Sequence, residues 1–295
     1  MPQRKIIAEN LEALNSLKDL AESYEEIAVI RMQKIKTSVL KARDFLADLS
    51  DVFVDLKSSY NREVLELISK RKKGDKSILP LLQKNGKTLL VYLASNGRLY
   101  GAVTQRTYKL FIQSLKKTDP TTTDILIIGT AGKEMYEGSG VARPFTFFDI
   151  PDVGVELKHI KGLMQKFLQY DRVQVYYGKF DNVINQTPIG TSITGDNIFE
   201  SEVVETVNRD DRFIFEPILE KIFYFFETQI IANLFSQTLL ENQLARHASR
   251  VNAMEEALIH IEEESKKLTQ AKNQLKHQMQ NKKQLETISG LAIWG

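Results

Sequence analysis

Few stretches of this 295-residue chain carry residues at a spacing that could do chemistry. Gly129-Thr130-Ala131-Gly132-Lys133-Glu134 follows an apolar run and offers glycine N–H groups and a lysine, the ingredients of a phosphate cradle. A working P-loop needs four residues between its glycines and a magnesium-binding hydroxyl after its lysine. Here two residues stand between the glycines and Glu134 follows the lysine, where its carboxylate repels phosphate. The other glycine turn, Ser95-Asn96-Gly97-Arg98-Leu99-Tyr100-Gly101, has the wrong spacing for a dinucleotide fingerprint, and Leu99 and Tyr100 would crowd a pyrophosphate. The histidines, His159, His247, His260 and His277, form no metal-binding spacing and read as solvated or helix-surface residues. With no cysteine, disulfide, zinc-thiolate and thiol-nucleophile chemistry are excluded. No catalytic residue, cofactor or metal ligand is therefore expected.

Both turns sit in a middle region of short apolar runs, Leu89–Ala94, Asp124–Gly129 and Arg172–Tyr177, rich in valine, isoleucine and tyrosine. Helix-length segments, Val103–Lys117 and Val155–Tyr170, lie between them, an order that predicts a Rossmann-like α/β sheet with covered faces. Gly138–Pro151 reads as a loop, and Asn185–Asn197 as a connector to the last helix.

On either side stand two segments without glycine or proline, Gln3–Lys73 and Ile218–Ser289. The first repeats apolar or small residues every seven positions, Leu14, Ala21, Ala28, Ile35, Ala42, Leu49 and Leu56, beside a second row of Met32, Val39, Leu46, Phe53 and Tyr60. The last segment has Met254, Ile261, Leu268 and Leu275 in one row and Val251, Leu258, Ser265, Lys272 and Met279 in the other. The fold class expected is α/β: a long antiparallel coiled coil of N- and C-terminal helices around a central domain. Its divisions are 1–73, 74–210 and 211–295. The second row turns polar at Ser265 and Lys272, so looser packing is expected there. At about 1.5 Å per residue the last helix would run roughly 100 Å, more than one small domain can cover. Glu262–Glu264 followed by Lys266 and Lys267 reads as a solvated face, and Lys70–Lys73 as a complement to a helix C-terminus, with contact to lipid headgroups or an acidic partner as the alternative.

Basic and acidic side chains nearly balance, 40 against 38, so nucleic acid is not the expected partner. No apolar run reaches the roughly 18 residues of a membrane span, and the N-terminus lacks a signal-peptide pattern. A cytosolic chain, or one peripheral to a membrane through a partner, is expected.

Phe213-Ile214-Phe215-Glu216-Pro217 resembles the aromatic-x-aromatic-Glu-Pro that opens the last helix of gamma subunits of F-type ATP synthases. Glu241–Ala257 resembles that family's Glu-His-Ala-Ala-Arg-Met-x-Ala-Met, with Arg250, Ala253 and Met254 at matching places. Glu286–Gly290 resembles its closing Glu-Ile-Val-Ser-Gly, Ser95–Gly101 its Ser-Asp-Arg-Gly-Leu-Cys-Gly, and Tyr177–Phe180 its Tyr-Asn-Lys-Phe. The matches span nearly the whole chain in order. Two departures stand out: Glu25 and Glu26 replace a lysine and an alanine in the first helix, and Lys276 and His277 stand where the family has an Arg-Gln pair. A guanidinium fork there has become a point charge.

The resemblance implies a non-catalytic central rotor shaft inside a hexamer of α- and β-type ATPase subunits. An epsilon-type subunit and a membrane c-ring are further partners of a standard member, placed peripherally on the cytoplasmic face of the membrane. It implies hexamer contact at Lys276, His277, Arg250 and Met254, and a foot turn at Ser95, Asn96, Gly97, Arg98 and Gly101. The apolar end Leu291-Ala292-Ile293-Trp294 is expected to sit in a partner's bearing. Two alternatives within reach of the same residues are the rotor of an F-like ATPase powering other machinery without proton coupling, and a coiled-coil scaffold. An enzyme with a degenerate nucleotide fold is a third, which the missing phosphate loops disfavour.

Overall fold

In the computed structural model, residues 2–59, 84–155, 157–194 and 219–292 are described. The elements in order are α1 (Pro2–Ser59), β1 (Thr88–Leu93), α2 (Ala102–Leu115), β2 (Thr123–Ile128), α3 (Thr130–Glu137), β3 (Thr146–Phe148), α4 (Leu157–Phe167), β4 (Arg172–Phe180), β5 (Gln186–Ser192) and α5 (Leu219–Ala292). The boundaries expected at 73/74 and 210/211, the basic run Lys70–Lys73 and the Phe213–Pro217 motif all lie outside the described residues.

The chain divides into two compact units, residues 31–249 and residues 1–30 with 250–295. In the first, five strands lie in the order β3-β2-β1-β4-β5. β1 pairs in parallel with both β2 and β4, Tyr92 standing opposite Ile127 on one side and Tyr176 on the other. Because strand side chains alternate between faces, Leu89, Val91 and Leu93 point to one side and Leu90 and Tyr92 to the other. The first set packs with Leu163 and Phe167 of α4 and with Ile231, Phe235 and Leu239 of α5. Phe167 and Phe235 meet edge to face, 5.0 Å between ring centres. The second set packs on Phe111 and Leu115 of α2 and Tyr136 of α3. Burial on both faces explains why β1 reads as a continuous apolar run.

Two stretches differ from the sequence expectation. The Gly138–Pro151 loop contains β3, whose three residues pair only with Leu126–Ile128. The Asn185–Asn197 connector contains β5, an antiparallel edge strand set against β4 from Gln174↔Ser192 to Phe180↔Gln186. Pro188 and Gly190 disguise it, because an edge strand tolerates residues that a central strand rejects.

α1 obeys its heptads within this unit: Val39 is buried, and Met32, Ile35, Ala42, Leu46 and Leu49 are half-buried. In the other unit Ala21 and Ala28 are buried and Leu14 half-buried. The side chains of Phe53, Leu56 and Tyr60 lie outside the described residues. The two helices run antiparallel, since Ile6 and Ile7 line one pocket with Ala271 and Leu275 while Tyr24 lies under Arg250. Met254, Ile261, Leu268 and Leu275 are all half-buried, whereas Lys272 and every residue from Lys276 to Ser289 are exposed. Of the two polar members of the second row, Lys272 is exposed as expected for looser packing, whereas Ser265 is half-buried like its neighbours, and the half-buried row ends at Leu275. Lys266–Glu262 and Lys267–Glu264 pairs, 3.0 and 3.2 Å long, lie on the solvated face.

Candidate functional site

In a doubly wound sheet a ligand crevice opens at the carboxyl ends of neighbouring strands whose connections leave in opposite directions. Here that place lies between β1, which leads on to β2 at one side, and β4 at the other. The chain fills it with its own last helix. All nine residues from Glu241 to Ser249 are buried, six of them polar or charged: Glu241, Asn242, Gln243, Arg246, His247 and Ser249.

Asn242 bridges the two strands. Its Nδ2 donates to the Leu93 carbonyl of β1 at 3.3 Å, and its Oδ1 accepts from the Gly178 N–H of β4 at 3.1 Å. One turn on, Arg246 donates to the Ala94 carbonyl at 3.4 Å and to the Asp152 carboxylate at 2.6 Å. Its guanidinium also lies 4.9 Å above the centre of the Tyr100 ring. Asp152 in turn accepts from the backbone N–H of Gly97 at 2.7 Å and of Asn96 at 3.1 Å. Burial pushes the Asp152 carboxyl up, but the Arg246 guanidinium and these backbone donors outweigh it and hold the group below the ordinary carboxylate value. A desolvated ion pair is tolerable only with such further hydrogen bonds.

Two glycines make room around the start of α2, one for α5 and one for β4. A Cβ at Gly101 would stand 2.4 Å from the Ser249 carbonyl oxygen, and the φ of +64° combined with ψ of −159° there suits only glycine. A Cβ at Gly178 would meet Val103 Cγ2 at 2.6 Å. The Ser249 hydroxyl accepts from the Val103 N–H at 3.4 Å, so the start of α2 is satisfied by α5.

Neither glycine turn presents its donors to a ligand. The N–H of Ala131 donates to the Ser95 carbonyl at 2.9 Å, and that of Thr130 to Asn96 Oδ1 at 2.9 Å. The first turn of α3 is therefore capped by the turn after β1, and Glu134 pairs with Arg98 at 2.8 Å. Of the foot-turn residues, Ser95 is buried, while Asn96, Gly97 and Gly101 are contacts of the cluster just described and Arg98 is largely exposed.

The four residues expected to meet a hexamer are divided. Lys276 and His277 are exposed on the unpaired stretch of α5, whereas Arg250 is buried with its guanidinium 5.5 Å over Tyr24, and Met254 is half-buried in the seam. Ile293 and Trp294, and the side chains of Leu291 and Ala292, lie outside the described residues. His247 corrects the expectation of a surface histidine. It is buried edge-on to Tyr100, with 5.8 Å between ring centres. Among the described residues no three histidine, aspartate or glutamate side chains gather as a metal site.

Sequence reasoning missed Asn242, Arg246 and Asp152. Asp152 is 94 positions from Arg246, so no local spacing links them. The available signal was the run from Glu241 to Arg250, where polar residues outnumber Leu244, Ala245 and Ala248 in the middle of a long helix.

A Rossmann-like sheet whose ligand crevice is closed by the chain's own terminal helix, with a heptad pair formed by the two chain ends, defines a helix-bearing structural subunit. The chain belongs to the ATP synthase family, whose family model matches residues 3–292. An ATP synthase gamma chain from Malacoplasma penetrans is 23% identical over 260 residues, 85% of each chain. Another, from Pelotomaculum thermopropionicum, is 19% identical over 302 aligned positions covering 99% of both. A chain of the Euglena gracilis mitochondrial ATP synthase, in an OSCP/F1/c-ring structure, superposes with a TM-score of 0.64 at 14% identity, covering 98% of this chain and 93% of that one. A central stalk/c-ring chain from Tetrahymena thermophila gives 0.54 at 20% identity, over 81% of this chain and 99% of its own.

Proposed function

We propose that this chain is the gamma-type central shaft of a rotary ATPase, a non-catalytic subunit that couples rotation to conformational change in a surrounding hexamer. The observation that carries the reading is the closure of the sheet crevice by Asn242 and Arg246, which leaves that site holding helix to sheet in place of a substrate. Coupling then requires only that each shaft orientation favour different conformations of the α- and β-type subunits. Lys276 and His277, exposed beyond the seam, meet the hexamer, while Arg250 and Met254 hold the helix pair together behind them. The tip Leu291-Ala292-Ile293-Trp294 enters the bearing. No described helix is long and apolar enough to cross a membrane, so attachment at the cytoplasmic face runs through an epsilon-type subunit and a c-ring.

An affinity tag inserted at Ser139, an exposed turn residue, leaves both helices free for the test. Mass spectrometry of what co-purifies should recover α- and β-type subunits in about threefold excess over the chain. Their absence under mild extraction would replace the shaft with a scaffold. A hexamer recovered without c-ring or epsilon-type subunit would assign the chain to an F-like ATPase that drives other machinery. Trp294→Glu should lower the yield of the assembled complex, since a charge in an apolar sleeve is costly; an unchanged yield and ATPase rate would remove the bearing role.

A further inference from the structure

The apolar contacts of α5 with the sheet come from Ile231, Phe235 and Leu239, whereas the polar ones begin at Glu241 and run to Ser249. The two kinds of contact resist different motions. Apolar burial opposes separation of helix and sheet, and any large turn that would carry Phe235 out of the core, but being non-directional it fixes small rotations and slides only weakly. Hydrogen bonds have fixed lines of action and weaken steeply when bent. Asn242 holds β1 and β4 at once, and Arg246 holds the end of β1 and, through Asp152, the turn at Asn96 and Gly97. Rotation of α5 in its seat would break bonds on two strands and one loop together.

We infer that Asn242, Arg246 and Asp152 form the joint through which torque passes between α5 and the sheet domain, with Arg246 as its positioning residue. This rests on the shaft reading and adds the residues that carry its load. Three features favour a joint over ordinary core packing. The polar residues cluster between Glu241 and Ser249, where the helix crosses the strand ends. Charge-assisted bonds such as the Arg246–Asp152 contact at 2.6 Å are the stronger kind available to a protein. At Gly101 the backbone of the turn before α2 lies so close to Ser249 that a Cβ there would stand 2.4 Å from its carbonyl oxygen, so α5 has no room to shift toward that turn.

Because the chain has no cysteine, Ser139→Cys supplies a single attachment point for a bead on the sheet domain. The complex with its α- and β-type subunits is immobilised by the hexamer, and the torque on the bead is read from its ATP-driven rotation against viscous drag. Arg246→Met keeps the apolar stem and loses the directed bonds, and Asn242→Ala loses the bridge. Both should lower the torque at least about twofold while ATPase turnover stays within about twofold, and Arg246→Lys should recover much of the loss by keeping a charge opposite Asp152. A role in packing alone would let methionine serve as well as lysine. Torque from both the methionine and the alanine variants equal to that of the unaltered chain overturns the joint alone. If the unaltered chain turns no bead in an active hexamer, the shaft reading falls, and the joint falls with it.

Discussion

Gly101 and Gly140 both have positive φ, +64° and +70°, but a ψ of −159° puts Gly101 in a region that essentially only glycine adopts, and the two meet different surroundings. Nothing lies within 4 Å of a Cβ built at Gly140, so Gly140→Ala should cost only the backbone penalty, about 1 kcal/mol. At Gly101 the same methyl would strike the Ser249 carbonyl at 2.4 Å, so roughly 1–3 kcal/mol of overpacking and a larger backbone penalty together form the increment. Denaturant melts of the two variants should separate by that increment, and equal losses would mean that α5 can back away from the turn. Asp152 gives a second test. Its carboxyl is held below the ordinary value in the folded chain, so the folded state binds its proton less readily than the unfolded state does. The resulting stability is present above the unfolded value, about 4, and is lost as pH falls through the folded one. Asp152→Asn should therefore be destabilised most near neutrality, with the gap to the unaltered chain narrowing in acid. A gap that stays constant with pH would show that the carboxylate charge contributes nothing.

The helices were the most legible elements, because a heptad row states its own partner face. Each described member of the predicted α1 rows is buried or half-buried. Ala21 and Ala28 sit where the pair is tightest, and Ala28 is wholly inaccessible. Ala28→Leu should thus lower the stability of the helix pair by about 1–3 kcal/mol, while Ile27→Ala next to it, about half exposed, should change stability by less than about 1 kcal/mol. Thermal melts followed by helix signal would rank the two; equal effects would mean that the seam is not where the alanines lie. The central strands were legible because both faces are buried, whereas β3 and β5 were not, since length and breakers conceal edge strands. The cluster at Asp152 was hidden for another reason. Hydrogen bonds between residues 94 positions apart leave no periodic trace, and a mostly polar stretch of helix resembles a solvated face until the sheet is placed against it. What the sequence did make legible about the site was negative, in the wrong spacing of both glycine turns.

For the whole molecule, that negative reading and the closed crevice lead to one expectation. A doubly wound sheet normally offers its strand ends and a helix N-terminus to phosphate. In this chain Asn242 and Arg246 occupy the strand ends, and Ser95 and Asn96 take the first donors of α3. A nucleotide could bind only by expelling α5 from its seat, breaking the Arg246–Asp152 contact and exposing Leu239 and Phe235 beside it. Any ligand that bound only the native state at a hundred times its Kd would stabilise it by about 2.7 kcal/mol, a shift of several degrees in the midpoint of unfolding. ATP, ADP or NAD at millimolar concentration should leave the thermal midpoint of the isolated chain unchanged, in the presence or absence of magnesium. A reproducible rise with one of them would mean that the crevice opens and that this fold has kept a nucleotide site. An unchanged midpoint in a chain that still drives rotation would place its whole contribution in mechanics, with the sheet serving as the seat for a helix.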